Sequence, residues 1–216
     1  MAEAVRFYFD FSCPYAYLGS QRLDEIESLT GRAVLLRPFL LGGVFRAIGQ
    51  AQNLSATLSP AKKVHNRADL IRQAAWIGAP LARPHRHPNR TVLALRTLLA
   101  CPAERQREAM HALYAVYWQR GEDIADPEVV AAALARLGLD PAPLLRAAET
   151  DAIKAELRTR TDEALATGVF GAPAFVVDGA LFWGADRVDM VIRAARDGWN
   201  PLPAHADFDF DQENPA

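Results

Sequence analysis

The sequence predicts an α/β fold in which a small strand-bearing unit is split by a large all-helical insertion. Three observations carry this. The chain opens as strand–helix–strand; from about Gly42 to Gly168 its periodicity is helical; after Gly168 two short strands and a closing helix follow. Strands at both ends with only helices between them place the two ends in one sheet.

Each element has a local reason. In Val5-Arg6-Phe7-Tyr8-Phe9-Asp10-Phe11 the residues Val5, Phe7, Phe9 and Phe11 point one way and Arg6, Tyr8 and Asp10 the other, the period of a strand. Ser12 is placed to cap the helix that follows, and Pro14 suits its first turn, where a missing N–H costs nothing. That helix carries Leu18, Leu23, Ile26 and Leu29 toward a core and ends before Gly31. Residues 33–39 form a second strand, an apolar run broken by Arg37 and stopped by Pro38. Ser59-Pro60 starts a helix with Val64, Ala68, Ile71 and Ala75 on one stripe, ending at Gly78. After the connector APLARPHRHPN, Asn89 is placed to cap a helix lined by Val92, Leu95, Leu98 and Leu99. Another helix runs to Gly121 with Met110, Leu113, Tyr114 and Tyr117 inward. Asp126-Pro127 and Asp140-Pro141 open two more, with aspartate capping and proline following, and residues 151–167 form the last of the block. Residues 173–177 and 180–183 then read as a hairpin closed by Asp178-Gly179, and a final helix runs from near Asp186 to about Arg196.

The assembled order is that of a thioredoxin-like fold with a large all-helical insertion. Its strand-bearing domain comprises residues 1–42 and 162–200, the inserted domain residues 43–161, and a polar, acidic tail residues 201–216. Composition narrows the function. Over 216 residues, half the chain is hydrophobic and 23% charged, as in ordinary globular proteins. A net charge of −2 gives no electrostatic case for nucleic acid or an anionic membrane. No apolar stretch is long enough to span a bilayer, and the N-terminus lacks the basic and long apolar regions of a secretion signal. Two cysteines, Cys13 and Cys101, are too few for a disulfide framework and point to the reducing cytoplasm. His85 and His87 have no cysteine or carboxylate beside them to complete a zinc site, so no metal is expected. P-loop, dinucleotide and hydrolase-elbow motifs are absent from the sequence.

Four stretches carry a more specific signal: FYFDFSCPYAYLGS (7–20), RPFLLGGVFRAIG (37–49), DLIRQAAWIGAPL (69–81) and GVFGAPAFVVDGALFWGADR (168–187). Through them the chain resembles the DsbA-like branch of the thioredoxin superfamily, and within it the 2-hydroxychromene-2-carboxylate isomerases and kappa-class glutathione transferases. The resemblance implies a glutathione site at the start of the first helix. There the family usually carries serine just before the first-turn proline, with its hydroxyl on the glutathione sulfur. This chain has Cys13 at that position, preceded by Ser12. The resemblance further implies a cis Ala172–Pro173 bond, with the Ala172 backbone anchoring the cysteinyl part of glutathione. It places Ala185 and Asp186 at the γ-glutamyl amine, where Asp186 is equally suited to cap the last helix. Gln50, Asn53 and Lys63 are implied as further contacts to glutathione, and Tyr15, Asn89 and Arg90 as neighbours of an aromatic substrate. Members of the family are typically homodimers.

Cys13 admits three readings: a packing residue, a monothiol redox centre, or a stand-in for the family's serine that steers a glutathione thiolate. A dithiol mechanism needs a resolving cysteine, and the position for it is Ala16. Cys101, in LLACPAER, reads as a core residue. A helix N-terminus favours a thiolate, whether from Cys13 or from glutathione. The expected activity is glutathione-dependent isomerisation of an aromatic keto acid by reversible thiol addition. A kappa-like transferase, a monothiol oxidoreductase and a non-catalytic binding module are the alternatives.

Overall fold

The computed structural model describes residues 3–200, so the tail expected over residues 201–216 lies outside the described residues. Four strands form one sheet in the order β2-β1-β3-β4: β1 Val5–Phe9, β2 Val34–Pro38, β3 Ala174–Val177 and β4 Ala180–Trp183. β1 runs parallel to β2, with Phe7 opposite Leu36, and antiparallel to β3, with Phe7 opposite Phe175. The central strand thus joins the two ends of the chain. β3 and β4 pair through a tight turn in which Asp178 and Gly179 both take positive φ, 47° and 86°, as a two-residue hairpin requires.

The opening helical segment is two helices, α1 (Pro14–Ser20) and α2 (Leu23–Thr30), rather than the continuous one expected. The break at Gln21-Arg22 changes the helical phase, so α2 buries Leu23 and Ile26 while Leu29 is 52% exposed. Cys13, not Ser12, occupies the N-cap of α1. β2 is an edge strand, which explains why Leu35 in its apolar run remains exposed.

Eight helices follow before β3: α3 (Leu41–Ala47), α4 (Leu54–Thr57), α5 (Pro60–Trp76), α6 (Val92–Ala100), α7 (Gln106–Tyr114), α8 (Pro127–Ala135), α9 (Pro141–Ala148) and α10 (Asp151–Ala166). Ser59, Asp126 and Asp140 cap α5, α8 and α9 through their side chains, as the sequence predicts. α6 starts at Thr91 rather than at Asn89, whose amide instead donates to Asp123 at 2.7 Å. α7 passes into a π-helical turn, Ala115–Gln119, that buries Val116, Tyr117 and Trp118 together. The last helix, α11 (Val188–Asp197), packs against α2 and β3. No helix among the described residues is long and apolar enough to cross a membrane.

Strands and insertion share one core. Tyr114 of α7 lies against Phe9, Phe11 and Tyr17, with ring centroids 6.0, 4.9 and 5.7 Å away. Phe7 stacks on Phe9 and meets Phe175 of β3. The other face of β1 is covered as well, since Tyr8 and Asp10 are as buried as the phenylalanines.

One expectation fails clearly. The apolar stripe of α5 does not face a core: Val64, Ile71 and the terminal Trp76 are 69%, 56% and 90% exposed, and Ala74 is the helix's one buried residue. The stripe is real, but it lies on the outside of this chain.

Candidate active site

The site is built where β1 ends. Asp10 and Phe11 carry the chain out of the sheet into a short turn. Cys13 then takes an extended conformation (φ −92°, ψ 116°) and α1 begins at Pro14. The first N–H groups of a helix have no partner within it. The backbone N–H groups of Tyr15 and Ala16 favour ionisation of the Cys13 thiol, although that of Ala16 donates to the Cys13 carbonyl oxygen at 3.1 Å. Burial outweighs them, and with a contribution from the Asp10 charge it pushes the thiol up to about 12. The lowered thiol pKa expected at this helix end is therefore not a property of Cys13 itself. Its neutral S–H donates to the Ala172 carbonyl oxygen, with Sγ 2.8 Å away.

The Ala172–Pro173 bond is cis, as the resemblance implies. Gly171 precedes it with no room for a side chain, because a Cβ there would lie 2.6 Å from the Trp183 indole nitrogen. The Pro173 carbonyl accepts from the Gly184 N–H at 3.0 Å, which holds the end of β4 against the cis-proline loop. Gly184, at φ 120°, then lets the chain turn sharply into a short 3₁₀ segment, Ala185–Arg187. Asp186 on that turn is half-exposed and pairs with Arg187 at 3.0 Å. It does not cap α11, whose N-cap is Arg187.

Beside this turn lies a cleft of about 520 Å³ between α1, α5 and the 3₁₀ segment, with Arg22, Asp69, Gln73, Trp76 and Asp186 among its walls. Tyr15, in the first turn of α1, feels both the cleft and Cys13: burial raises its phenol pKa, and the charges of Asp69 and Asp186 add to the effect. Cys13, Tyr15, Ala172, Pro173, Ala185 and Asp186 are thus brought together. Asp69 joins them although the sequence reading named no role for it; its place in DLIRQAAWIGAPL was the available signal.

A model of the DSBA-like thioredoxin domain matches residues 4–195. The chain belongs to this family. Among its DsbA-like relatives is the 2-hydroxychromene-2-carboxylate isomerase of Sphingobium xenophagum, 32% identical over 196 residues, covering 88% of this chain and 97% of the relative. Glutathione S-transferase kappa 1 of Homo sapiens is 26% identical over 219 residues, covering 94% and 96%. A solved structure of 2-hydroxychromene-2-carboxylate isomerase superposes with a TM-score of 0.81 at 26% identity, covering 95% of this chain and 99% of that one. The DsbA-like fold expected from the four motifs is thereby established.

Among the described residues the remaining candidates are hydrogen-bonded to other partners. Gln50 binds the Phe45 carbonyl through its backbone, Asn53 accepts from the Ser55 hydroxyl, and the Lys63 ammonium reaches the Ala56 carbonyl at 3.4 Å. Asn89 is held by Asp123, and Arg90 projects into solvent. The Ser12 hydroxyl donates to Asp10 at 2.9 Å. Cys101 is buried and donates to the Thr97 carbonyl, as a core cysteine should.

Proposed function

We propose that this protein is a glutathione-dependent isomerase acting on a 2-hydroxychromene-2-carboxylate-type aromatic keto acid in the cytoplasm. The observation that carries the reading is the Cys13 thiol at the mouth of α1, unpaired with Cys101 and donating to the Ala172 carbonyl. A hydroxyl of the family's serine would present the same single proton at this place. The relatives named as isomerases and kappa-class transferases support the same reading.

The residues present fit glutathione. The cis-proline loop offers the Ala172 backbone for antiparallel pairing with the cysteinyl part. The half-exposed carboxylate of Asp186, with Ala185, faces a cleft large enough for the γ-glutamyl group. Gln50, Asn53 and Lys63 supply amides and an ammonium for its carboxylates. When bound, glutathione supplies a thiolate that adds reversibly to the conjugated double bond, so that rotation about the resulting single bond can precede elimination.

The chain's part in this chemistry is electrostatic and positional. The positive end of α1 and the Cys13 S–H, once turned from Ala172, stabilise a thiolate sulfur. Cys13 itself stays neutral and donates. Tyr15, Asn89 and Arg90 orient the aromatic acid, and holding both reactants converts a bimolecular addition into a local one.

A homodimer belongs to this proposal. The exposed stripe of α5, with Val64 and Ile71 at 69% and 56% exposure, is an apolar face that a second copy would cover. Val64→Asp with Ile71→Asp should convert a dimer to a monomer in analytical ultracentrifugation; a wild-type chain that is already monomeric would remove this part.

Turnover distinguishes the activities. Isomerisation of 2-hydroxychromene-2-carboxylate leaves total glutathione constant, transfer to an electrophile depletes it, and monothiol redox work yields glutathione disulfide. Isomerisation with no net consumption is expected. Depletion or disulfide formation in its place overturns the reading.

A further inference from the structure

Among the described residues Asp10 is the one buried carboxylate, 1% exposed, and nothing in the proposed chemistry uses it. Its Oδ1 accepts from the Ser12 backbone N–H at 2.8 Å and from the Ser12 hydroxyl at 2.9 Å. Oδ2 accepts from the Leu41 N–H at 2.8 Å, and the Thr91 hydroxyl, at the N-cap of α6, lies close enough to favour the ionised carboxylate. The backbone carbonyl of Asp10 accepts from the Cys13 N–H at 3.2 Å and from the Tyr114 hydroxyl at 3.4 Å.

These partners come from three separate places. Ser12 and Cys13 form the turn into α1, Leu41 is the first residue of α3, and Thr91 is the N-cap of α6. α3 leads to Gln50 and Asn53; Thr91 ends the connector that carries Asn89 and Arg90. One carboxylate therefore ties the thiol-bearing turn to the starts of the two segments expected to contact glutathione and the aromatic acid. Three hydrogen bonds and the nearby Thr91 hydroxyl favour the ionised carboxylate against burial, which raises its pKa. An apolar side chain would avoid the cost of burying charge but would leave the Ser12 and Leu41 N–H groups without partners. A carboxylate in such a place is matched to a geometry that must be held, and that geometry ends at Cys13 Sγ.

We propose that Asp10 is a positioning residue, whose carboxylate locks the Ser12–Cys13 turn to α3 and α6 and thereby aims the Cys13 thiol. The aim of that thiol at glutathione rests on the function proposed above; its aim at Ala172 does not.

The test uses Asp10→Asn, Thr91→Val and Thr91→Ser in the full chain. Asparagine keeps the size but turns one acceptor into an N–H₂ group facing donors, while Thr91→Val removes the hydroxyl beside the carboxylate on the side of the insertion. Two quantities are read in folded protein: the rate at which iodoacetamide labels Cys13 without glutathione, mapped by peptide mass, and the glutathione dissociation constant by calorimetry. Asp10→Asn should speed labelling about threefold or more, because the thiol is released from Ala172 and loses a neighbouring negative charge. It should also weaken glutathione binding about tenfold. Thr91→Val should move both in the same direction by less, and Thr91→Ser should restore them. Labelling and binding within about twofold of wild type, even with a lower melting temperature, would reduce Asp10 to a stabilising tie and overturn the proposal. If Asp10→Asn does not fold, the two Thr91 variants decide by the same criteria. A wild-type chain that fails to bind glutathione overturns the functional reading, and the labelling arm still judges Asp10.

Discussion

Cys13 is the position at which the mechanism is most exposed to refutation. With its thiol near 12, about one molecule in 10⁵ carries a Cys13 thiolate at pH 7, five units below. A free thiol with a pKa near 8.5 is ionised to about 3% at the same pH, about a thousand times more. A nucleophile chosen between the two is the glutathione sulfur, and the useful property of Cys13 is the proton it keeps. That proton now lies on the Ala172 carbonyl, 2.8 Å away. Turned toward a thiolate it makes one hydrogen bond to a charged group, worth about 1.5–3 kcal/mol, or roughly ten- to a hundredfold in rate. Cys13→Ser retains a donor and should keep substantial isomerase activity. Cys13→Ala removes it and should lose about ten- to a hundredfold. The assay is turnover of 2-hydroxychromene-2-carboxylate at saturating glutathione, so that binding differences do not intrude. Serine and alanine variants that are equally inactive would show that Cys13 carries the covalent chemistry, since a hydroxyl here has no general base to activate it.

Three further outcomes follow from the geometry. Asp186→Ala should raise the apparent glutathione constant about tenfold, at the low end for a charge-assisted bond because Asp186 is half-exposed and shared with Arg187, and change saturated turnover much less; an effect on melting temperature alone would contradict its place at the ligand. Gly184→Ala should cost about 1–3 kcal/mol in urea unfolding and weaken glutathione binding, because φ 120° strains any side chain and the new Cβ would collide with the Asp186 carboxylate; an unchanged midpoint would refute this. Burial raises the Cys13 thiol to about 12, the Cys101 thiol to about 11 and the Tyr114 phenol well above its ordinary value. The folded chain then holds protons that the unfolded chain releases, so their contribution is intact below about pH 9 and is lost as pH rises toward the folded values, by up to about 1.4 kcal/mol per pH unit for each group. Urea midpoints that stay level from pH 9 to 11 would contradict it.

The strands were legible because each has a local cause. Alternation in Val5–Phe9, the Asp178-Gly179 turn and the Asp-Pro helix starts act through backbone and nearest neighbours, which the sequence displays directly. The cis-proline loop was legible through motif, not through physics, since isolated X–Pro bonds favour trans. The break between α1 and α2 follows Gly19-Ser20, two weak helix formers whose local signal is overshadowed by the apolar spacing that continues past them. Alternation places Asp10 only on the face of the strand opposite Phe9 and Phe11. Its partners at Leu41 and Thr91 lie 31 and 81 positions away, and no local pattern could have announced them.

Helix α5 shows what periodicity does and does not determine. Val64, Ala68, Ile71 and Ala75 recur at helical spacing, and the helix forms over Pro60–Trp76 with Ser59 as its cap. Spacing specifies that one face is apolar; it does not specify whose surface covers it. The opposite edge of the same helix carries Asp69 and Gln73, hydrogen-bonded to each other at 2.7 Å in the wall of the cleft beside Asp186. A helix that lines a ligand cleft on one side and leaves large apolar side chains open on the other is poorly anchored by its own chain. Covering that face would order the wall of the site as well as remove hydrophobic surface from water. Assembly and glutathione binding should therefore be coupled: the Val64→Asp, Ile71→Asp double variant should bind glutathione more weakly although neither residue lines the cleft. Equal affinity in monomer and dimer would separate the two roles of α5.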